Sequence, residues 1–178
     1  MILLLFGAPG TGKSTYAKFL AKEFNLEVVS LGEILRQLAL HDKILLKSLS
    51  TGELIANEFV DKIMFERLTQ GKGSFILDGY PRTVDQARNL IKFLKIRDLK
   101  IDHVFHLDVP EPLVVARTSA RGRDDDHPTV LKRRFEVFER QTKPILEFFK
   151  QAAVPISEID NSTQIGEVEK ELLDSFKN

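Results

Sequence analysis

The chain has 178 residues, enough for one compact domain with a full hydrophobic core. Lys plus Arg equals Asp plus Glu at 26 each, so the formal net charge is zero and a general nucleic-acid binder held by a basic surface is disfavoured. There is no cysteine, which excludes disulfide scaffolds, thiol catalysis and a cysteine-ligated zinc site.

Residues 2–6, Ile-Leu-Leu-Leu-Phe, are apolar but stop at Gly7. They carry no basic leader and no cleavage region, and they are far too short to span a bilayer. They read as a buried first strand, and the expected location is the cytoplasm, with no membrane partner. Gly7-Ala8-Pro9-Gly10-Thr11-Gly12-Lys13-Ser14 follows at once and fits the pattern G-x-x-x-x-G-K-[ST]. A chance match in a chain of this length is on the order of one in a hundred or less. The context agrees, because the pattern leaves an apolar strand and opens a helical stretch over 14–24. Glycines let backbone N–H groups turn inward around phosphate oxygens, and the helix N-terminus adds partial positive charge. Lys13 is placed to reach the β- and γ-phosphates, and the hydroxyl of Ser14 or Thr15 to face Mg²⁺.

Further apolar runs follow at 28–29, 74–77, 103–107 and 154–159, each preceded by a helix-length segment. This alternation predicts a mostly parallel sheet with helices on both faces. Two segments interrupt it. Between 29 and 74 lies too much chain for one crossover, and it reads as helices over 33–40, 43–49 and 54–69. Ser50 and Glu53 have capping-box spacing, which predicts the last helix start near Gly52. Such an insert suits a substrate clamp or a helical excursion that fills the core, and length alone does not separate them. Phe75-Ile76-Leu77-Asp78 ends an apolar run on a carboxylate. Ligands in open α/β sheets bind at the carboxyl ends of strands, so Asp78 suits Mg²⁺ held through water; a turn residue before Gly79 is the plainer alternative. The second interruption, residues 121–128, is polar enough for a loop, and Pro128 suits the first turn of a helix. That helix carries an apolar stripe of Leu131, Phe135, Phe138, Ile145 and Phe149. His103 and His106 read as structural, since nothing beside them suggests a metal site.

With Gly7–Thr15, Ser30–Arg36, Gly52–Ile55 and the run Leu77-Asp78-Gly79-Tyr80-Pro81-Arg82-Thr83 with Gln86, the sequence resembles adenylate kinases and their nucleoside monophosphate kinase relatives. Arg117, Arg121, Arg123, Asp125-Asp126 and Arg134 extend the likeness over nearly the whole chain. The resemblance implies a P-loop kinase fold of α/β class in three layers: a five-stranded parallel sheet with helices on both faces. It implies one domain over 1–178, with a core of 1–29, 60–120 and 128–178. A monophosphate clamp would lie at about 30–59 and a truncated lid at about 121–127. The implied reaction is reversible Mg²⁺-dependent phosphoryl transfer from ATP to AMP, giving two ADP, by a monomer that needs no zinc.

Phosphoryl transfer needs two anionic nucleotides held in line and positive charge around the moving group. Arginine suits this because its planar fork binds two phosphate oxygens and stays charged, although a lone surface arginine is more often merely solvated. The resemblance makes Lys13, Asp78, Arg82, Arg121, Arg123 and Arg134 the catalytic set. It gives ATP to Gly10, Thr11, Gly12, Lys13, Ser14, Thr15, Arg117, Arg121 and Thr163, with Arg117 stacked on adenine. It gives AMP to Leu31, Arg36, Glu53, Leu54 and Ile55 from the clamp. Gly79, Tyr80, Pro81, Arg82 and Gln86 would serve AMP from the core, with Arg123 and Arg134 closing over it. Ser14, Thr15 and Asp78 would face Mg²⁺, largely through water. Asp125 and Asp126 would lie among the lid arginines.

Three departures stand out. Leu31 occupies the position where adenylate kinases usually have a threonine hydroxyl near the AMP base. Ser14 replaces a usual glycine. Arg121 and Arg123 are separated by a single residue, so the lid is shorter than the family's short form and should exclude water less well. A UMP/CMP kinase is the alternative within the class, favoured by Leu31 and opposed by Gln86. A catalytically weak nucleotide-binding sensor is the alternative outside it, opposed by retention of Lys13, Asp78 and the arginines.

Overall fold

A computed structural model describes residues 1–71, 73–121 and 127–177, with the side chains of 119–121 and 177 outside the description. Strand β1 (Ile2–Phe6) is buried along its whole length, as a central strand covered on both faces must be. Helix α1 (Lys13–Phe24) ends at Asn25, whose left-handed conformation returns its N–H to the Ala21 carbonyl. Strand β2 (Glu27–Ser30) runs straight into α2 (Leu31–Ala39), whose buried Leu31, Leu35 and Ala39 recur at helical spacing. Helix α3 (Lys43–Thr51) is capped by Asp42, which accepts from the N–H groups of Ile44 at 2.9 Å and Leu45 at 3.0 Å.

The next helix, α4 (Asn57–Gln70), begins later than the capping-box spacing suggests. Gly52 instead closes α3 at φ +74°, and the Ser50 hydroxyl donates to the Lys47 carbonyl within α3. Glycine is the least strained residue for that left-handed stop, so helix termination outweighs the cap pattern.

Strand β3 (Phe75–Asp78) leads through a loop to α5 (Val84–Lys95), capped by Thr83. Strand β4 (His103–Asp108) is followed by α6 (Glu111–Arg121). The long stripe after Pro128 is not one helix. It comprises α7 (Pro128–Val137), a π turn (Phe138–Thr142) and α8 (Pro144–Gln151). Pro144 lacks an N–H and its ring would crowd a carbonyl four residues back. The wider turn resolves this, with the Lys143 N–H donating 2.8 Å to the Phe138 carbonyl, five residues back. Strand β5 (Ile156–Asp160) and α9 (Ile165–Lys177) complete the described chain.

The five strands are parallel in the order β2-β3-β1-β4-β5. Alternate residues of β1 feed opposite faces: Ile2, Leu4 and Phe6 join the core under α2, α4, α5 and α8, while Leu3 and Leu5 join the core under α1 and α9. Chain order reverses at β1, so the crevice beyond its carboxyl end is the expected ligand site. No helix among the described residues is long and apolar enough to cross a membrane.

His103 and His106 are buried on β4, and burial lowers the proton affinity of both. His103 Nε2 lies 2.8 Å from the Ser157 hydroxyl, whereas His106 Nδ1 has no hydrogen-bond partner among the described residues. His106 also feels Asp108, Glu158 and Glu139, which favour its charge, and Lys143, which opposes it. A histidine held neutral in the fold takes up its proton more readily unfolded. Stability is therefore full above the unfolded value of about 6.5 and falls as pH drops below it, by at most about 1.4 kcal/mol per pH unit per histidine. Urea midpoints should fall between about pH 7.5 and 5.5, and the double variant His103→Gln, His106→Gln should flatten that slope. An unchanged slope would show that other groups carry the acid sensitivity.

Candidate active site

The glycine loop leaves β1 at the crevice and opens α1. Gly10 sits at φ +84°, and a Cβ there would lie 2.5 Å from the Thr118 methyl and 2.8 Å from Val114 Cγ1. Only glycine both turns the loop and lets it pack against α6. The Lys13 ammonium donates 2.8 Å to each of the Gly7 and Ala8 carbonyls, which holds it inside the loop. The Thr11 hydroxyl donates 3.0 Å to the Ala8 carbonyl.

Asp78 ends β3 beside this loop, in register with Leu5 on one side and Ser30 on the other. One carboxylate oxygen, Oδ2, accepts from the Ser14 hydroxyl at 2.6 Å and from the Ser30 hydroxyl at 3.1 Å. Ser14, the departure from the usual glycine, thus ties the start of α1 to the end of β3. Thr15 is exposed at the mouth of the loop.

The segment after Asp78 is set by its neighbours. Tyr80, with a cis bond to Pro81, is fully buried and donates 2.7 Å to Asp61 Oδ1. Burial and that carboxylate push the phenol far above its ordinary range, so it stays a neutral anchor. Asn89 holds the other Asp61 oxygen at 2.7 Å. Bonds to three neighbours help to hold Arg82. Its Nε donates 2.8 Å to the Gly79 carbonyl, its backbone N–H donates 2.7 Å to Gln86 Oε1, and its carbonyl accepts from the Thr142 hydroxyl at 2.9 Å.

One cavity of about 1000 Å³ joins these parts. Of the residues the sequence singles out, its wall includes Gly10 through Thr15, Arg36, Glu53, Leu54, Asp78, Gly79, Pro81, Arg82, Arg117 and Arg134. Leu31, Ile55, Tyr80, Gln86 and Thr163 are not part of the wall. Leu31 is turned into the core and Thr163 is exposed. Gln86 lies behind Arg82: its Oε1 faces the Arg82 N–H, and its Nε2 donates 2.9 Å to Asn57 Oδ1. Arg123, Asp124, Asp125, Asp126 and the side chain of Arg121 lie outside the described residues.

Apolar residues of the insert, Leu35, Ala39, Leu40, Leu46 and Leu49, also line the cavity. The insert meets α7 through the exposed pair Arg133–Glu53 at 3.0 Å and through Gly52, where an added Cβ would lie 3.0 Å from Arg134 Cγ. The π turn brings Phe138 and Thr142 into the wall, and α6 adds Thr118. Sequence reasoning missed Ser30, Thr118, Phe138 and Thr142 as site residues. Pro144, two residues past Thr142, is the one local signal that the helix is broken there.

A single carboxylate with two neighbouring hydroxyls does not make a metal cage, and no group of three or more metal-ligating side chains occurs among the described residues. Hard oxygen donors beside a phosphate loop do suit Mg²⁺ that arrives on the substrate's own phosphates.

Comparison with known proteins identifies the family. The family described as "Adenylate kinase" matches residues 5–154. The chain is 38% identical over 158 residues to an adenylate kinase of Mycolicibacterium vanbaalenii, covering 84% of this chain and 86% of that protein. An adenylate kinase of Clostridium kluyveri is 33% identical over 206 residues, with 94% of each chain covered. One from Petrotoga mobilis is 33% identical over 212 residues, covering 99% of this chain and 98% of that one. The last two alignments run longer than the 178 residues present here, so those relatives carry residues with no counterpart in this chain.

Proposed function

The chain belongs to the adenylate kinase family, and from that premise we propose that it transfers the terminal phosphoryl group of MgATP to AMP, giving two ADP, in a reversible reaction. The observation that carries this is one cavity whose wall includes both the phosphate loop with Lys13 and the three arginines Arg36, Arg82 and Arg134. Two anionic phosphate groups can then face each other with cations on both sides.

The loop N–H groups and Lys13 hold the donor's phosphates. Arg36, Arg82 and Arg134 neutralise the acceptor phosphate, so that one of its oxygens can approach the donor's terminal phosphorus. A phosphorus–oxygen bond forms to the acceptor as the bond to the donor's bridging oxygen breaks, and both products are nucleoside diphosphates. Asp78, with Ser14 or Thr15, would hold Mg²⁺ largely through water, and the ion would offset charge on the donor phosphates. Ser14 and Ser30 keep the Asp78 carboxylate turned toward the loop.

Incubation with MgATP and each monophosphate in turn, followed by product separation, tests the reaction. AMP should exceed CMP and UMP in kcat/KM by at least about tenfold. The amide of Gln86 has both donor and acceptor capacity, but it is buried behind Arg82 and bonded to the Arg82 N–H and to Asn57. Pairing with an adenine edge, worth about 1–3 kcal/mol, would require its Nε2 to turn from Asn57 toward the base. Because Gln86 also holds the Arg82 N–H, Gln86→Ala should slow every acceptor, and loss of base reading should also shrink the ratio of AMP to CMP. A preserved ratio would mean that Gln86 acts on Arg82 alone. A wild-type preference for CMP or UMP would reassign the enzyme to pyrimidine monophosphates.

A further inference from the structure

Asn161, just past β5, is fully buried, yet it uses four polar groups on four different segments. Its backbone N–H donates 2.9 Å to the Asp108 carbonyl at the end of β4. Its side-chain Nδ2 donates to the Thr11 carbonyl inside the glycine loop. Its Oδ1 accepts from the Tyr16 hydroxyl on α1 at 2.8 Å. Its own carbonyl accepts from the Arg117 guanidinium on α6 at 2.9 Å. Asn161, Tyr16, Thr11 and Arg117 all contribute to the cavity wall.

We infer that Asn161 is a positioning residue that fixes the distance between the nucleoside end and the phosphate end of the donor site. This rests on the donor reading proposed above. In that reading the loop's peptide groups hold the phosphates, and Arg117, in the wall of the same cavity, is the group that would meet the nucleoside end. A donor with a base and a triphosphate gains from both ends only when their separation is held. The Asn161 amide supplies that hold, because one side chain bonds the loop and α1 while its own backbone bonds α6. Burial makes the arrangement demanding. Removing the amide leaves the Thr11 carbonyl and the Tyr16 hydroxyl without these partners, away from water that could replace them.

The test uses calorimetric affinities for ATP and for inorganic tripolyphosphate, which has the phosphates without the nucleoside. Wild type should bind ATP at least about tenfold more tightly than tripolyphosphate. Asn161→Ala should shrink that ratio by about fivefold or more, and leave KM for AMP within about twofold of wild type. Tyr16→Phe keeps the ring packing and removes only the hydroxyl, so it should shrink the ratio in the same direction even if Asn161→Ala folds poorly. If both affinities fall together and the ratio holds within about twofold in both variants, Asn161 only supports the loop and the inference is overturned. If wild type itself binds ATP no better than tripolyphosphate, the donor reading of the cavity fails instead.

Discussion

Lys13→Ala should reduce transfer at saturating MgATP and AMP by about 10³-fold or more, to the limit of detection. The ammonium is the one charge carried by the glycine loop itself, and the transition state spreads negative charge over the phosphoryl oxygens within its reach. The protein should still fold. Lys13 is partly exposed and its bonds to the Gly7 and Ala8 carbonyls are local to the loop. Their loss should cost about 1–2 kcal/mol, a modest share of a typical domain's stability. Initial rates beside urea midpoints separate the two effects. Lys13→Met keeps the apolar stem and removes only the charge, so it should be equally inactive at near-normal stability. A near-normal rate in either folded variant would remove the loop from the chemistry.

The central strands are legible because β1, β3 and β4 are short, mostly apolar runs, and the match of 103–107 to β4 (His103–Asp108) shows how little a boundary shifts when burial decides it. The stretch from Ser50 to Asn57 departs from the capping-box expectation for a physical reason. A capping box and a glycine stop compete within four residues, and only the left-handed geometry at Gly52 shows which prevails. The π turn was invisible for another. Leu131, Phe138, Ile145 and Phe149 all reach the core, so the apolar period runs on across a break in the backbone pattern.

The site divides in the same way. The loop from Gly7 to Thr15 and the segment from Asp78 to Arg82 declare themselves by spacing, because local backbone geometry dictates their residues. Commitments across the fold do not. The bonds from Thr142 to the Arg82 carbonyl and from Asn161 to the Thr11 carbonyl join residues 60 and 150 positions apart. Nothing near either residue in the sequence announces its partner. Gln86 is an intermediate case. Its residue type suggested base reading, and its placement adds a structural task, support of the Arg82 N–H.

Arg82 is where that support converges. Its carbonyl, backbone N–H and Nε are each bonded, by Thr142, Gln86 and the Gly79 carbonyl, so the guanidinium is aimed before any substrate arrives. Such preorganisation makes a charge-assisted donor effective, because no reorientation is needed as charge develops. Arg82→Ala should therefore lower kcat/KM for the monophosphate by about 10²-fold or more, about 2.7 kcal/mol of transition-state stabilisation. Arg82→Lys keeps the charge but loses the planar fork and should fall between. Arg88, six residues on, is the control. It is exposed, pairs with Asp85 at 2.8 Å and lies over the Phe148 ring, outside the cavity wall. Arg88→Ala should change kcat/KM by less than about twofold, since exposed ion pairs contribute little and none of its contacts reaches substrate. The measurement is a set of initial rates at subsaturating AMP for the three variants and wild type. Equal losses at Arg82 and Arg88 would mean that the fixed aim of Arg82 is not directed at the acceptor phosphate, and the acceptor end of the cavity would have to be assigned again, starting from Arg36 and Arg134.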